Sequence, residues 1–411
     1  MREDIFNACV EMFQRHRAEA FGGVFHLPAA DEYNCLFAWD SAYHALALQH
    51  IDEAVADAEV DILFSANTAS DGLLSHERPA PGAEERTRII LQTLGPIYRD
   101  DGRSWLIDPP AAAFAAARLY DPKREQTRTF LDRAVALLDS IDKHRLIKPD
   151  APPVVLHPLE SGTDASPQFD PLINTASRLD YLLNCVALSQ NLQHLVYVAD
   201  RALAEKHPFV VSDPTFCAWQ LLSLEELAAA FKRGGDDAGA GAMTKRAETL
   251  AQAMMRTMWN EEHQLFVAYD HLNARQLTTP TFAGVLLAAS GIMRDGGVAQ
   301  RIVAKHLQAP DSMFLGASGV SFNPIANTPV DPWGLLWRGD VASGATSYWA
   351  YLTAMRNELP DVAQRIRLQL AALIEKSGFR EFYGAVAGEG IGAGANAGFT
   401  WPALVLDMTT P

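Results

Sequence analysis

The stretch that decides the fold class is residues 109–120, PPAAAFAAARLY. Its apolar residues recur with the spacing of a helix face, and it suits an amphipathic or buried helix. Proline at the first turn costs nothing, because the N–H that it lacks would have no partner there. The same Asp-Pro or Thr-Pro opening recurs at Asp108, Asp213 and Thr279, so each is predicted to start a helix.

Helical periodicity recurs from one end of the chain to the other, whereas alternating strand patterns are scarce. The best short strand candidates are residues 265–270 (LFVAYD) and the Gly-rich tail before Trp401. About a dozen helices follow from the pattern, which indicates an all-α toroid of helical hairpins. The predicted helices cover residues 1–20, 41–67, 109–120, 125–142, 175–204, 213–234, 240–259, 279–290, 296–307, 345–357 and 361–376.

Length and composition favour one large repetitive domain over residues 1–411. The chain is 48% hydrophobic, and no linker, low-complexity run or like-charge block divides it. Its net charge of -16 argues against nonspecific nucleic-acid binding, which needs clustered Lys and Arg. An acidic ligand would therefore need a local basic pocket.

The N-terminal residues and the cysteines indicate the compartment. Residues 1–20 carry charges throughout and read as an amphipathic core helix, not a signal peptide. No run of about eighteen uncharged apolar residues occurs, so a membrane span is not expected. The four cysteines (Cys9, Cys35, Cys185 and Cys217) lack metal-ligand spacing. We expect reduced core cysteines and a cytoplasmic protein.

Long loops rich in Gly, Pro, aromatic and charged residues join some of the helices, at 68–88, 143–174, 308–344 and 379–399. Long loops in a compact domain are usually functional. One of them contains residues 160–167, ESGTDASP. Asp164 there is either a turn former in a solvated loop or a carboxylate at the mouth of a pocket.

Two further segments combine aromatic and charged residues. Residues 33–41 (YNCLFAWDS) begin at Tyr33 and end on an aspartate that leads into a helix. Asp40 either caps that helix, with Trp39 packed beneath it, or accepts bonds from sugar hydroxyls while the indole stacks on the sugar ring. In residues 333–339 (WGLLWRG), Trp337 and Arg338 form either a packed corner or a ligand wall.

The C-terminal segment, residues 378–401 (GFREFYGAVAGEGIGAGANAGFTW), contains a Gly-x-Gly-x-Gly run. A dinucleotide site is rejected, since it needs a preceding strand, a following helix and room for a further strand. Glu381 lies among aromatic neighbours that include Tyr383, and desolvation there raises its proton affinity. Asp164 and Glu381 together supply the pair of carboxyls that glycoside hydrolysis requires.

Four motifs carry a resemblance to a known family: ESGTDASP, FAWDS, WRG and the segment from Phe379 to Trp401. Together they resemble the catalytic domain of glycoside hydrolase family 63, whose clan includes the family 37 trehalases. The compact bacterial glucosylglycerate and mannosylglycerate hydrolases are the most similar in pattern. Residues 258–270 follow the family as well, so that the resemblance spans almost the whole chain.

The resemblance implies an (α/α)6 barrel whose long loops form a central pocket, and an inverting hydrolysis. It implies Asp164 as the general acid and Glu381 as the general base. Trp39 and Asp40 would hold the sugar, and Trp337 with Arg338 would form another part of that wall. Tyr33, which begins residues 33–41, and Tyr383 and Trp401, which lie in the C-terminal motif, are also expected to contact the substrate. Asp40 is expected to stay ionised.

Two departures from the family pattern concern the substrate. Asp108 stands where the family commonly has Gln, and Asp340-Val341-Ala342 replaces Pro-Val-Trp. Glucosylglycerate is the first expectation and mannosylglycerate the second, and either needs a cation for its carboxylate. His76 and Arg78 are the candidates, with Arg86 and Arg88 after them, on a loop at 68–88 that could close over the site.

Other interpretations remain open at this point. The enzyme could act on trehalose or an α-1,2-linked glucobiose, or it could be a sugar epimerase on the same toroid, although such epimerases rely on histidine pairs. A noncatalytic glycan-binding protein is the third class. We expect a small-molecule glycoside as ligand, neither cofactor nor metal, no nucleic-acid or membrane partner, and possible homo-oligomers. His44 and His50 are six apart on a helix, on different faces, and suggest no metal site.

Overall fold

The structure is a computed structural model and describes residues 3–81, 97–325 and 337–409. Its described α-helices are α1 (Glu3–His16), α2 (Ala38–Leu48), α3 (Glu53–Asn67), α4 (Ala111–Leu119), α5 (Phe130–Arg145), α6 (Arg178–Gln193), α7 (Ala199–Ala204), α8 (Pro214–Arg233), α9 (Asp237–Thr257), α10 (Ala283–Leu286), α11 (Gly291–Asp295), α12 (Val298–Val303), α13 (Gly344–Arg356) and α14 (Pro360–Ser377). A 3₁₀ segment, Trp401–Leu406, ends the described chain. The structure is helix-rich, as the periodicity predicted.

The strands are short and form small antiparallel sheets of two or three strands. They are β1 (Arg17–Ala20), β2 (Gly23–His26), β3 (Cys35–Phe37), β4 (Glu77–Pro79), β5 (Val211–Ser212), β6 (Trp259–Asn260), β7 (Leu265–Phe266), β8 (Ala268–Asp270), β9 (Arg275–Leu277), β10 (Val341–Ala342), β11 (Phe382–Gly384) and β12 (Gly390–Ile391). Strands are therefore present in residues 265–270, as expected. The antiparallel pair β3–β4 and the three-stranded sheet β10–β11–β12 lie beside the site described below.

Several helix predictions were partly wrong. The helix expected over residues 175–204 is two helices, α6 and α7, with Val196 and Tyr197 at positive φ (54° each) between them. The helix expected over residues 279–290 begins only at Ala283 and continues as a 3₁₀ turn at Leu287–Ala289.

The helix expected over residues 1–20 ends at His16, because Phe21 and Gly22 both adopt positive φ (58° and 85°) and fold β2 back on β1. The helix expected over residues 41–67 is two helices. The second begins after Asp52, whose side chain accepts from the Ala54 N–H and caps it.

Two classes of helix follow from the burial pattern. All eleven residues of α2 are buried, as are nearly all of α4 and α13, whereas α9 and α14 bury only one stripe. The inner elements pack on one another in the order α2, α4, α8, α10, α13, Trp401–Leu406 and back to α2. Residues from Ile5 to Met408 contribute to one continuous hydrophobic core.

The inner elements place several chain segments at one end of the molecule. The segments that enter α2, α13 and Trp401–Leu406 each bring an aromatic residue there: Trp39, Trp337 and Trp401. The loop after α5 brings Asp164 to the same end. The loops predicted at 68–88 and 308–344 are described only in part, and Arg86, Arg88 and Trp333 lie outside the described residues.

Within the described residues, none of the helices has the length and apolar character that crossing a membrane requires. The four cysteines form no disulfide with one another, and Cys9, Cys185 and Cys217 are buried. Cys35 differs, since it is only partly buried and lies in the wall of the cavity described next.

Candidate active site

A cavity of about 320 Å³ opens at the end of the helices where these segments meet. Both predicted catalytic carboxyls lie in its wall, with six of the predicted binding residues: Tyr33, Trp39, Asp40, His76, Trp337 and Trp401. Residues that are more than 200 positions apart in sequence therefore meet in one pocket. Its size is at the lower end of the range for small-molecule sites.

Asp164 is held by a loop that Glu160 anchors from within. Arg145 at the end of α5 donates to Glu160 Oε1 over 2.5 Å, and the Leu156 N–H donates to Oε2 over 2.7 Å. Both charged side chains are wholly buried, so each needs the other as its partner. Glu160 is thus a structural partner of the loop, and Asp164 lies in the wall of the cavity.

Gly162 lets this loop approach the sugar wall closely. It adopts φ 70°, in the left-handed region, and ends the short 3₁₀ turn Pro158–Ser161. A β-carbon on it would come within 2.8 Å of the Trp39 indole. Any larger residue would therefore push Trp39 and the Asp164 loop apart.

Burial controls the proton affinity of Asp164. It raises the pKa of the Asp164 carboxyl to about 6, and the opposing influence comes from the residue's own backbone N–H. A carboxyl with few donors and a raised pKa is suited to carry a proton near neutral pH.

Glu381 is held on the other side of the cavity, immediately before β11. The Ala393 N–H donates to Glu381 Oε2 over 3.0 Å, and the Tyr33 hydroxyl lies 3.5 Å from Oε1. Burial raises the pKa of Glu381 to about 8, against the bond from Ala393, and the charges of Asp164, Asp40 and Glu32 add to the rise. These two donors stabilise the ionised carboxylate, but burial outweighs them, and with a pKa of about 8 Glu381 is mostly protonated at pH 7.

The Gly-rich segment after β11 makes room for Glu381. Gly392 has φ 72°, and a β-carbon on it would come within 2.8 Å of Glu381 Oε2. The neighbouring Gly394 N–H donates to Glu32, another acidic residue of the wall. The segment forms β12 and a loop, so its glycines serve the pocket and not a dinucleotide fold.

Three tryptophans form one wall. The Trp39 ring centroid lies 5.3 Å from that of Trp401 and 6.2 Å from that of Trp337. Trp337 stacks on Trp349 behind it, with planes 6° apart, and is held at φ 65°. A bulky residue in the left-handed region is strained, and such strain clusters at functional sites.

Asp40 lies among these rings. The Trp401 indole N–H donates to Asp40 Oδ1 over 2.7 Å. Burial raises the pKa of Asp40 to about 7 despite this bond. Asp40 is therefore partly protonated near neutral pH, and not fully ionised as expected.

The remaining wall carries residues that the sequence did not single out. Glu77 lies there with its pKa raised by burial, and it accepts a hydrogen bond from Tyr98 at its back. The apolar members are Pro28, Phe37, Ile97, Leu159, Leu182 and Phe399. The sequence offered one indication of Glu77, because side chains alternate along an extended segment and Glu77 therefore faces the side opposite to Arg78.

His76 does not provide the cation that was expected of it. Burial lowers its pKa to about 4, so the imidazole is neutral at pH 7. Its Nε2 lies 3.6 Å from Oδ1 of Asp108, whose other oxygen accepts from the Trp39 N–H over 3.0 Å. Asp108, the position that departs from the family, thus supports the wall from behind.

Arg78, Arg338 and Tyr383 do not line the cavity. Arg78 points to the other side of β4, where it donates to the Ala66 carbonyl and lies 4.2 Å over the Phe21 ring. Tyr383 is buried in β11, with its hydroxyl on the Gly378 carbonyl. These two residues stabilise the fold and do not contact a ligand in this cavity.

Arg338 acts on the Asp164 loop. Its guanidinium donates to both carboxylate oxygens of Asp170, over 2.9 and 2.7 Å, and to the Ala165 carbonyl over 3.0 Å. A bidentate pair of this kind fixes geometry strongly. Arg338 therefore positions the residue next to Asp164.

The sequence and the fold match known proteins over almost their whole length. Residues 33–402 match the family described as the mannosylglycerate hydrolase MGH1-like glycoside hydrolase domain. A mannosylglycerate hydrolase of Thermus thermophilus is 26% identical, with 96% of this chain and 98% of that protein covered. Mannosylglycerate hydrolase MGH2 of Selaginella moellendorffii is 24% identical, with 98% and 85% covered.

Solved structures agree on the fold. A family 63 mannosylglycerate hydrolase of Thermus thermophilus, crystallised with Tris and D-glycerate, superposes with a TM-score of 0.81 at 22% identity, covering 98% of this chain and 99% of that one. A neutral trehalase of Saccharomyces cerevisiae superposes with a TM-score of 0.60 at 14% identity, covering 94% of this chain and 72% of that one. The chain is an O-glycosyl hydrolase and belongs to the mannosylglycerate hydrolase-like members of glycoside hydrolase family 63.

Proposed function

We propose that the protein hydrolyses a small α-glycoside with inversion at the anomeric carbon, within a single (α/α)6 barrel that spans residues 1–411. The cyclic packing order of the inner helices supports the barrel. The observation that carries the reaction is the presence of two buried carboxyls, Asp164 and Glu381, in one tryptophan-lined cavity.

Asp164 is the general acid and gives its proton to the glycosidic oxygen, so that the bond from that oxygen to the anomeric carbon breaks. Glu381 is the general base and takes a proton from a water that attacks the opposite face of the sugar. Inversion requires a separation of roughly 6.5–9.5 Å between the two carboxyls, with room for that water. The step needs protonated Asp164 and ionised Glu381, which is the less populated arrangement because the pKa of Glu381 lies above that of Asp164. The Ala393 and Tyr33 donors stabilise the Glu381 carboxylate in this arrangement.

The sugar lies against Trp39, Trp337 and Trp401, and Asp40 binds its hydroxyls. Indole faces suit the apolar side of a pyranose. Asp40 accepts from vicinal hydroxyls as the carboxylate, and the bond from Trp401 favours that form. The tryptophan rings and Asp40 accelerate hydrolysis most if their contacts with the sugar become stronger as the sugar ring flattens in the transition state.

Glucosylglycerate is our first candidate substrate, and mannosylglycerate is the second. The family and the printed names of the relatives support a glycerate aglycone. The alternative to a glycerate aglycone is a neutral one, as in trehalose or a glucobiose. The described wall favours it, because its ionisable residues other than His76, Tyr33 and Cys35 are the carboxyls of Glu32, Asp40, Glu77, Asp164 and Glu381. An anionic aglycone would be repelled by these groups where they are ionised.

A sugar epimerase is disfavoured by the same wall, since such enzymes rely on a histidine pair and the described lining residues include one histidine, His76.

Proton NMR of the anomeric signals during the first minutes tests the proposal. With glucosylglycerate, β-glucose should appear before mutarotation, and Asp164→Ala and Glu381→Ala should release none. α-Glucose as the first product would overturn inversion. If glucosylglycerate stays intact, mannosylglycerate, trehalose and the glucobioses are tested in the same way. Cleavage of none of these would contradict the assignment of the two carboxyls.

A further inference from the structure

A buried carboxylate joins two histidines directly behind the sugar wall. Glu59 of α3 accepts from His26 Nδ1 over 2.8 Å and from His44 Nδ1 over 3.1 Å. All three side chains are almost wholly buried. The far nitrogen of His44, Nε2, lies 2.8 Å from the Thr400 hydroxyl. None of these residues lines the cavity.

The protonation states in this chain follow from chemistry. Burial alone would raise the pKa of Glu59, but its interactions with His26 and His44 outweigh burial and lower that pKa to about 2. Burial lowers the pKa of His44, so this imidazole is neutral and carries one proton. An ionised Glu59 can only accept, and the proton of His44 must lie on Nδ1. His44 Nε2 is then an acceptor, and the Thr400 hydroxyl donates to it.

This chain ends on the residues that hold the sugar-binding carboxyl. His44 follows Asp40 by one turn of α2, on the same face of the helix. Thr400 immediately precedes Trp401, whose indole donates to Asp40. Helix α2 and the C-terminal segment are thus joined at two levels, by His44 with Thr400 and by Asp40 with Trp401. The Thr400 N–H also donates to the carbonyl of Pro28, a residue of the cavity wall.

We propose that Thr400 and His44, oriented by Glu59, are positioning residues that hold the Trp401 indole on Asp40 and so keep the sugar-binding end of the cavity in its working geometry. This inference rests on the proposed function. Without the Thr400 hydroxyl, His44 Nε2 becomes a buried acceptor with no donor, and the backbone before Trp401 loses a fixed contact. The bond to Asp40 then weakens, and the pKa of Asp40 rises.

Other ionisable groups face Asp40 and remain in place in this argument. They are Tyr43 on α2, Tyr33 before β3, Asp108 before α4, Asp164 on its loop and Glu381 before β11. A change in the pH profile that follows a substitution at Thr400 therefore reports the Asp40–Trp401 contact, provided that these residues are unaltered.

The test uses Thr400→Val, which keeps the shape and removes the hydroxyl, with Thr127→Val as the matched control. Thr127 is also fully buried, and its hydroxyl donates to the Asp121 carbonyl over 2.8 Å away from the cavity. We expect Thr400→Val to lower kcat about tenfold and to move the acidic limb of the pH profile upward, because Asp40 must ionise to accept from the sugar hydroxyls. Thr127→Val should lower Tm and leave both kinetic readouts unchanged.

A second matched pair of variants tests the same role if Thr400→Val folds poorly. Thr400→Ser keeps the hydroxyl and Thr400→Ala removes it, with the same volume lost, so the serine variant should retain most of the kcat that the alanine variant loses. Equal activities in this pair, or an unchanged pH profile in Thr400→Val, would overturn the positioning role.

A readout without turnover separates this inference from the proposed function. In ¹⁵N-tryptophan-labelled full-length protein, the indole N–H signal of Trp401, assigned by its loss in Trp401→Phe, should shift in Thr400→Val and stay in place in Thr127→Val. If the wild-type protein cleaves no glycoside, the proposed function fails while this shift still tests the contact. An unmoved signal would reject the positioning role whether or not the enzyme is active.

Discussion

Gly162 and Trp39 are in such close contact that a β-carbon on the glycine would come within 2.8 Å of the indole ring. Gly162 lies two residues before Asp164, and Trp39 immediately precedes Asp40. The loop of the proposed acid and the wall of the sugar site therefore share one van der Waals contact. A change in either one displaces the other.

Gly162→Ala should disable the enzyme while it stays folded. The left-handed backbone costs an alanine about 1 kcal/mol, and the indole must also move. We expect kcat/KM to fall at least about tenfold, since small displacements of catalytic groups have large effects on rate. The control is Gly235→Ala, where φ is 81° and no atom lies within 4 Å of the added carbon. That variant should lose similar backbone stability and keep its activity, and equal activity losses in both variants would contradict the role of the contact.

Most of the fold was predictable because its helices carry strong local signals. Pro214 and Pro360 begin α8 and α14, and the Ala-rich stretch after Pro110 forms α4. The break after His16 was not predictable from helical periodicity, because the hairpin β1–β2 depends on positive φ at Phe21 and Gly22. A non-glycine residue in that conformation leaves almost no trace in sequence composition.

The candidate site divides in the same way. Trp39, Asp164, Glu381 and Trp401 were predictable because motifs carry them. Arg78 was misplaced because β4 alternates, and its neighbour Glu77 faces the cavity instead. Direction within an extended segment depends on pairing with β3, which the sequence alone does not specify.

The roles of the two carboxyls can be separated by the chemistry of the leaving group. α-Glucosyl fluoride needs no proton from an acid, because fluoride leaves unaided. Asp164→Asn should therefore keep a much larger share of its activity on the fluoride than on an O-glycoside. Glu381→Gln should be slow on both, since the water is no longer activated, and azide should restore turnover of the fluoride with β-glucosyl azide as product.

The opposite pattern would exchange the two roles. Restored activity of Asp164→Asn by azide, with Glu381→Gln sparing the fluoride, would make Glu381 the acid. Asp170→Asn is a control close to the same loop. It loses part of the pair with Arg338, and it should weaken the O-glycoside more than the fluoride because Arg338 positions the residue beside Asp164.

The pH profile of kcat/KM should be a bell with limbs near 6 and 8, the pKa values to which burial raises Asp164 and Glu381. The two carboxyls interact with each other and with Asp40, whose pKa of about 7 places its ionisation on the acidic limb, so the limbs belong to the group and do not by themselves identify the acid. Steady-state kinetics from pH 4.5 to 10 measures them. A limb below pH 5 would mean that one carboxyl is far less desolvated than the structure implies.

The buried carboxyls of the cavity should lower the free energy of unfolding at high pH, and Glu381→Gln should remove part of this destabilisation. A carboxyl whose pKa is raised on folding stabilises the protein less as pH increases, because the folded state resists its ionisation. For Glu381 this loss begins near the ordinary pKa of 4.5 and is complete above about pH 8.

The Gln side chain in Glu381→Gln cannot ionise, and it can still accept from the Ala393 N–H. The variant should match the wild type near pH 4.5 and exceed it in free energy of unfolding by about 2–3 kcal/mol at pH 9, less than the full shift would give. Thermal unfolding across this pH range measures the difference, with Glu11→Gln on the exposed face of α1 as the control. A gain that is the same at pH 5 and pH 9 would contradict burial as its cause.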